Sequence, residues 1–546
     1  MPRHSRTTAT TLLVAAMVFV SAACGSTVDG ADRAALDADG SRAGGSGSEF
    51  TVGGGSGTAA DGGGASDPAT GPGSGTPADA PTGGVGGGPA ADPTASGGAN
   101  PGSSGTGTAP GEGGGSAPAP GGQVGPGVTD TTIRIGLTYD RSAGALNQAY
   151  GFAGIGQVDQ KRALDLLIEH INDNGGVAGR KLEAVYYVQD SLANKTPDQV
   201  AQESCATWTQ DTKVFAAWVG GSVPARNACL TKAGVVQVGT SFGRAYSETF
   251  KQFPYLVDIG APSLETLGRV VVDQLAAAGF YRKARPEAVG QPIKLGLMAH
   301  DEPEFRAGAR ALKAALAEHG LKLSAEVYVT KAETANDIPL EANAVQAAVL
   351  RFKEQGITHV QFLQTNNGFA GLTFWQNAER LAYYPRYGLT SSDGAQALIA
   401  TVESAGGPGT VKRQLSMSLG VGWTPLFDVP RADYTGSKES AELRRCKQVL
   451  EPASSGGWND AARNKEFIAA NLCDAAFYFK AAVEAGGAVL NPQGWLAGVA
   501  KIDQLGSALS FSFRTTRQRD AVGAVRPFAF ADDCTCFHYT SGPKPI

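Results

Sequence analysis

From residue 133 onward, apolar residues fall into short β-branched runs alternating with stretches in which they return every three or four positions. Residues 133–137 read Ile-Arg-Ile-Gly-Leu, a strand pattern, and Leu164, Leu167, Ile168 and Ile171 then mark one face of a helix. Asn174-Gly175-Gly176 ends that helix, because a glycine just past the last turn takes the left-handed backbone that releases a chain from helical geometry. A second strand over 181–188 closes on Asp190. Strand, helix and strand in this order predict a parallel pair with a crossover helix, a connection that is right-handed in nearly all cases.

The alternation continues. A helix over 197–210, a strand over 214–219, Gly220-Gly221-Ser222, a helix ending at Ala233, and strands at 235–238 and 255–258 complete a five-stranded, doubly wound sheet. After Pro262 a second unit begins, with helices at 263–278, 303–318, 341–355 and 368–381 and strands at 293–298, 323–329, 358–363 and 388–390. Residues 415–421 read as a further strand, 464–485 as a long helix, and 527–530 with 537–539 as a terminal hairpin.

The first 127 residues have neither period. Arg3 and Arg6, an apolar run from Thr11 to Val20 too short to span a bilayer, and Ser21-Ala22-Ala23 before Cys24 make residues 1–24 an export signal. The placement of Cys24 resembles a bacterial lipoprotein signal, which implies a lipid anchor on that cysteine; Ser21 stands where leucine is usual, and cleavage without lipidation is the alternative. Residues 25–127 are Gly, Ser, Ala, Pro and Thr with almost nothing to bury, so they are expected to be a disordered linker. A coil of that length spans roughly 55 Å, enough for a tether or a solubilising spacer.

The net charge of −5, with no basic stripe interleaved with aromatics, argues against a nucleic-acid partner. Beyond Cys24 six cysteines remain, an even number that suits an oxidising compartment. Of their 15 connectivities we expect Cys205 with Cys229, Cys446 with Cys473, and Cys534 with Cys536, free thiols being the alternative. Cys534-x-Cys536 near His538 is a weak metal signal, and neither metal nor cofactor is expected.

In an open parallel sheet, ligands sit outside the carboxyl ends of the strands, where helix N-termini also offer unpaired N–H groups. That rule selects Tyr139, Asp140, Ser222, Ser241 and Gly243 in the first unit, and His300, Asp301, Phe305, Thr365, Asn366, Ser392 and Asp393 in the second. Asp301 or Asp393 would meet a substrate ammonium. Each residue has a structural alternative: Asp301 as a helix cap, Thr365 and Asn366 as a turn, Phe305 as core. Gly239-Thr240-Ser241-Phe242-Gly243 also fits the nucleophile elbow of α/β-hydrolases, with Ser241 as nucleophile. No long amphipathic helix follows it and no His-Gly-Gly-Gly segment supplies an oxyanion hole, so an enzyme is not expected.

Residues 156–183, with the Asn-Gly-Gly-Val-Ala-Gly-Arg-Lys turn, then Trp218-Val219-Gly220-Gly221-Ser222, residues 234–243 and Asn471-Leu472-Cys473-Asp474-Ala475-Ala476 resemble the leucine/isoleucine/valine-binding type of extracytoplasmic solute-binding protein. The resemblance covers 131–540. It implies an α/β fold of the periplasmic binding protein type I class: two doubly wound parallel-sheet lobes joined by a hinge of three crossovers, closing on a small solute such as an amino acid or amide. The expected lobes are 128–260 with 425–515, and 261–424 with 516–546. The resemblance places a ligand carboxylate near Ser222 and Ser241, and implies ABC transporter permease subunits as partners at the outer face of the cell membrane; a sensor of the same fold without a permease is the alternative. The chain departs from the family pattern at 139–144, at 304–308 and at Cys473, where tyrosine is usual.

Overall fold

The computed structural model describes residues 124–145, 156–193, 195–220, 223–240, 245–364, 369–460, 462–516 and 519–546. Cys24, the export signal and nearly all of the expected linker lie outside these residues.

The first sheet is built from β1 (Thr132–Asp140), α1 (Gln160–Asp173), β2 (Lys181–Gln189), α2 (Pro197–Ala206), β3 (Ala216–Val219), α3 (Pro224–Lys232), β4 (Val236–Gly239), the short helix α4 (Ser247–Gln252) and β5 (Leu256–Asp258). Its strand order is β2-β1-β3-β4-β5, every pairing parallel. Leu164, Leu167, Ile168 and Ile171 of α1 are buried, which is the face their spacing marks. Asp159 caps that helix by accepting from the Arg162 N–H, and Gly176 leaves it at φ +68°.

The second sheet follows with α5 (Leu264–Ala277), β6 (Leu295–His300), α6 (Pro303–Glu318), β7 (Leu323–Val329), α7 (Ile338–Glu354), β8 (His359–Leu363), α8 (Phe369–Arg380), β9 (Arg386–Thr390), α9 (Ala395–Gly406), α10 (Thr410–Leu415) and β10 (Leu419–Gly422). These strands run β7-β6-β8-β9-β10, all parallel, so the winding of the first sheet recurs. The chain then forms α11 (Pro425–Asp428), α12 (Ala441–Leu450), α13 (Asn464–Ala485) and α14 (Pro492–Val499), with α12 and α13 packed on α1 of the first sheet. It returns to extend the second sheet with β11 (Ala524–Ala531), β12 (Cys536–Tyr539) and β13 (Lys544–Pro545), antiparallel to their partners.

The passages between sheets are laced together. Ala521 donates its N–H to Asp258 O at 2.7 Å, Asp258 donates to Arg519 O at 2.9 Å, and the Trp423 indole donates to Gly260 O at 3.0 Å. Segments from all three crossings therefore lie side by side between the lobes.

The disulfides join Cys205 on α2 to Cys229 on α3, Cys446 on α12 to Cys473 on α13, and Cys534 to Cys536 in the turn between β11 and β12. The strand expected over 415–421 is corrected: Leu415 ends helix α10, and the strand is only 419–422. Helices α9, α12 and α14 were not foreseen. In α12 the buried positions are Leu443, Cys446 and Leu450, and the cysteine within a charged stretch obscures the period.

Close packing on β1 leads to a prediction. A Cβ on Gly136 would stand 2.7 Å from the Trp208 ring, which is fully buried on that strand. Gly136→Ala should cost about 1–3 kcal/mol by overpacking. An unchanged urea midpoint for the variant would show that the indole moves aside freely.

Candidate ligand cleft

In a sheet of order β2-β1-β3-β4-β5 the winding reverses between β1 and β3, and the crevice at the carboxyl ends of those two strands is where such folds receive ligands. The structure has a cavity of about 140 Å³ there. Leu137 of β1, Trp218 and Val219 of β3, Leu164 of α1 and Leu472 of α13 supply apolar wall. From the other lobe, Glu333 and Thr334 between β7 and α7 reach the same cavity, so it lies between the lobes.

Its polar groups stand out against that wall. Thr138 Oγ1, Trp218 Nε1 and Asn471 Oδ1 are buried with no hydrogen-bond partner. Trp218 is 6 % exposed and Asn471 7 %, and the Asn471 amide donates to Phe467 O at 2.8 Å while its oxygen has no partner. Buried polar atoms are nearly always satisfied, so three orphans in one cavity mark a place where a guest supplies the partners. Arg226, in the first turn of α3, also lines the cavity and is 6 % exposed. Burial pushes its guanidinium down to about 10, which leaves it charged at neutral pH. At the rim Asp190 is held by Arg141 at 2.8 Å, whose hydrogen bond keeps that carboxyl below its usual range.

Most of the residues selected from the sequence have other positions. Tyr139 packs edge-on against Tyr186, with ring centroids 5.5 Å apart. Asp140 is buried and accepts from the Ser142 N–H and hydroxyl, each at 2.9 Å, and from the Ser191 hydroxyl, fixing its own loop. His300 is fully buried, 3.0 Å from Glu341 and edge-on to Phe305, which is itself core. Asp301 pairs with Arg306 at 2.6 Å on the surface. Ser392 and Asp393 are interior; Asp393 accepts from Gln364 and from Thr390, and burial pushes its carboxyl up to about 6. None of these seven lines the cavity. Ser222, Ser241, Gly243, Thr365 and Asn366 lie outside the described residues; Val223 and Thr240, which adjoin Ser222 and Ser241 in sequence, do line it, as does Gly220.

The strand-end rule points to the same crevice, but the side chains that line it differ from most of those the rule selects. Side chains alternate across a strand, so Tyr139 is turned to the face opposite Thr138, while Asp140, on the Thr138 face, is engaged by Ser142 and Ser191. The available signal was Trp218, a tryptophan with an N–H to satisfy at the end of an otherwise apolar strand. Arg226 and Asn471 are brought in from helices far apart in sequence. As for the hydrolase elbow, α4 begins only at Ser247, six residues beyond Ser241, whereas an elbow turns directly from strand into helix at the nucleophile. Among the described residues, no three His, Cys, Asp or Glu side chains are placed to hold a metal ion, and no helix is long and apolar enough to cross a membrane.

Comparison with known proteins agrees with this geometry. The chain belongs to the periplasmic binding protein family, whose sequence profile matches residues 132–410. A fatty acid ABC transporter substrate-binding protein from Thermomonospora curvata is 15% identical, with a TM-score of 0.51 over 78% of this chain and 95% of that one. A solute binding protein of an ABC transporter from Rhodopseudomonas palustris, solved with p-hydroxybenzoic acid, is 14% identical, with a TM-score of 0.51 over 76% and 97%. A branched chain amino acid ABC transporter protein from Thermus thermophilus with bound valine is 13% identical, with a TM-score of 0.50 over 77% and 98%. At these identities the likeness is one of fold. No curated protein matches the chain.

Proposed function

We propose that this protein is an extracytoplasmic solute receptor, tethered to the outer face of the membrane by a lipid on Cys24. It captures a small molecule between its lobes and hands it to the permease of an ABC importer, making and breaking no bond. The observation that carries the reading is the apolar cavity at the β1/β3 reversal, rimmed by the second lobe and holding the unpartnered polar atoms of Thr138, Trp218 and Asn471. Ser222 and Ser241, beside cavity residues in sequence, are further candidate ligand groups, and the hinge closes because contacts to both lobes at once stabilise the closed state.

Thermal unfolding of the purified protein against amino acids, amides, short peptides and aromatic acids tests capture. A guest at a hundred times its Kd should add about 2.7 kcal/mol of stability. Deleting the gene should then abolish uptake of that guest; uptake at the wild-type rate would refute delivery to an importer.

A further inference from the structure

We propose that Asp428 is a proton-sensitive fastening of the hinge: in its neutral form it holds the crossing from β10 into α11 against the second lobe, and in its charged form, dry and without a counter-ion, it favours release of that crossing. The proposal goes beyond the receptor reading and does not depend on which guest is captured.

Two neighbouring side chains of α11 grip opposite lobes. Phe427 stacks on Phe467 of α13, with ring centroids 4.5 Å apart, and α13 packs on α1 of the first sheet. Asp428 is buried and turns to the second lobe. Its Oδ1 accepts from the hydroxyl of Ser391, just after β9, at 2.8 Å, and its Oδ2 accepts from the Tyr539 hydroxyl of β12 at 2.8 Å and from the Thr424 N–H at 3.1 Å. The same Ser391 hydroxyl accepts from the N–H of Trp423 at 2.8 Å, whose indole reaches Gly260 O in the passage after β5. One carboxyl therefore stands where a crossing between the lobes meets the terminal hairpin and the end of β9.

Nothing offsets its charge. Among the described residues, no Lys, Arg or His pairs with Asp428. The titratable groups around it are engaged elsewhere: Arg526 of β11 lies over the Tyr539 ring at 4.2 Å, Asp393 accepts from Gln364 and Thr390, Glu403 of α9 from the Val411 N–H, Tyr434 from the Ser440 N–H, and Glu466 of α13 is held by Arg463. A Cβ on Gly422, the last residue of β10, would collide with the Asp428 carboxylate, so strand and side chain leave no room between them. Burial pushes the carboxyl up to about 7, although its three donors favour the charged form. The buried Thr424 Oγ1, without a partner, offers an acceptor in the same turn for the proton of the neutral form. Once the crossing is released and hydrated, the carboxyl returns toward about 3.9. The fastened state thus binds the proton more tightly: protonation stabilises it fully below about pH 4, and that stabilisation is lost as pH rises to about 7.

Amide hydrogen exchange of the full chain between pH 5 and 8, with the intrinsic rates divided out, tests this at Trp423 and Thr424, whose N–H groups the fastening holds. Their opening equilibrium should rise by up to about tenfold per pH unit from 5 towards 7, the limit for one proton, and level off by 8, and amides in the middle of β1 and β8 should not follow. Asp428→Asn, which keeps the shape of the neutral form, should remove the rise and hold both amides as firmly at pH 8 as the wild type does at pH 5. Should that variant fail to fold, Tyr539→Phe decides, because losing a donor to the charged form should carry the rise to higher pH. A wild-type opening that does not change with pH, a rise shared equally by β1 and β8, a rise that survives Asp428→Asn, or one that Tyr539→Phe leaves in place would overturn the proposal. None of these outcomes bears on whether the protein captures a guest.

Discussion

Replacing Glu466 with glutamine is expected to lower the unfolding free energy by roughly 3–5 kcal/mol, the loss that follows when one partner of a buried ion cluster is removed. Glu466, fully buried in the first turn of α13, lies 2.7 Å from Arg463, 3.0 Å from Arg431 and 3.1 Å from Lys447. Arg463 is itself buried, and apart from Glu466 its guanidinium leans on the Tyr434 ring, 5.6 Å away. The glutamine keeps the volume and removes the charge, so the buried Arg463 loses its counter-ion, while Lys447 keeps Glu439 at 2.9 Å. Burial alone would raise the Glu466 carboxyl, but the hydrogen bond from Arg463 and the charges of Arg463, Arg431 and Lys447 outweigh it and hold the group below its ordinary value. For a carboxyl depressed in the folded state, the stabilisation is complete above the unfolded pKa of about 4.3 and is lost as pH falls through the lower folded value. The gap between wild type and Glu466→Gln should therefore be wide at pH 7 and close in strong acid. Denaturant titrations at several pH values measure it; a gap that stays constant down to the acid limit would mean that the charge is not what stabilises α13.

The second large effect is expected from the Cys446–Cys473 bridge, which ties α12 to α13 with a sequence separation of 27. In the chain-entropy account, closing a loop of that length restricts the unfolded chain by about 3.5 kcal/mol, so the double substitution Cys446→Ala, Cys473→Ala should lose close to that amount. The Cys534–Cys536 bridge spans a separation of only 2, and removing it should change stability far less by the same reasoning. Equal losses from the two double variants, read from unfolding midpoints under non-reducing conditions, would show that strain or local packing, and not loop length, sets the contribution. Both cysteines of the larger bridge are completely buried, so alanine also leaves space in the core, and the measured loss should not fall below the entropic figure.

These tests bear on a frame whose alternation was legible in the chain. Periodic burial in α1, the Asn174-Gly175-Gly176 exit and the strand at 181–189 are local matters, each decided by neighbours within a few positions. The same holds for α6, which spans 303–318 as its pattern indicates. Short elements were harder to read: α10 and β10 are compressed into residues 410–422, where one apolar run crosses from helix to strand with only three residues between. The side chains that line the cavity were harder again. His300 and Phe305 stand at a strand end and the helix after it, as a ligand site requires, yet they serve the core, because Glu341 on α7 meets the imidazole in the interior.

What the sequence by itself determined is the two-lobed α/β class, with one sheet in the first unit and another in the second; periodicity and turn chemistry are properties of adjacent residues, and parallel strands with crossover helices allow few other arrangements. Only the tertiary structure decided that Thr138, Trp218, Arg226 and Asn471 share one cavity while Asp301 and Asp393 are committed elsewhere. That choice depends on which face each strand turns inward and on how α3 and α13, far apart along the chain, close over the β1/β3 reversal, and no local pattern encodes a meeting between Thr138 and Asn471, more than three hundred positions apart.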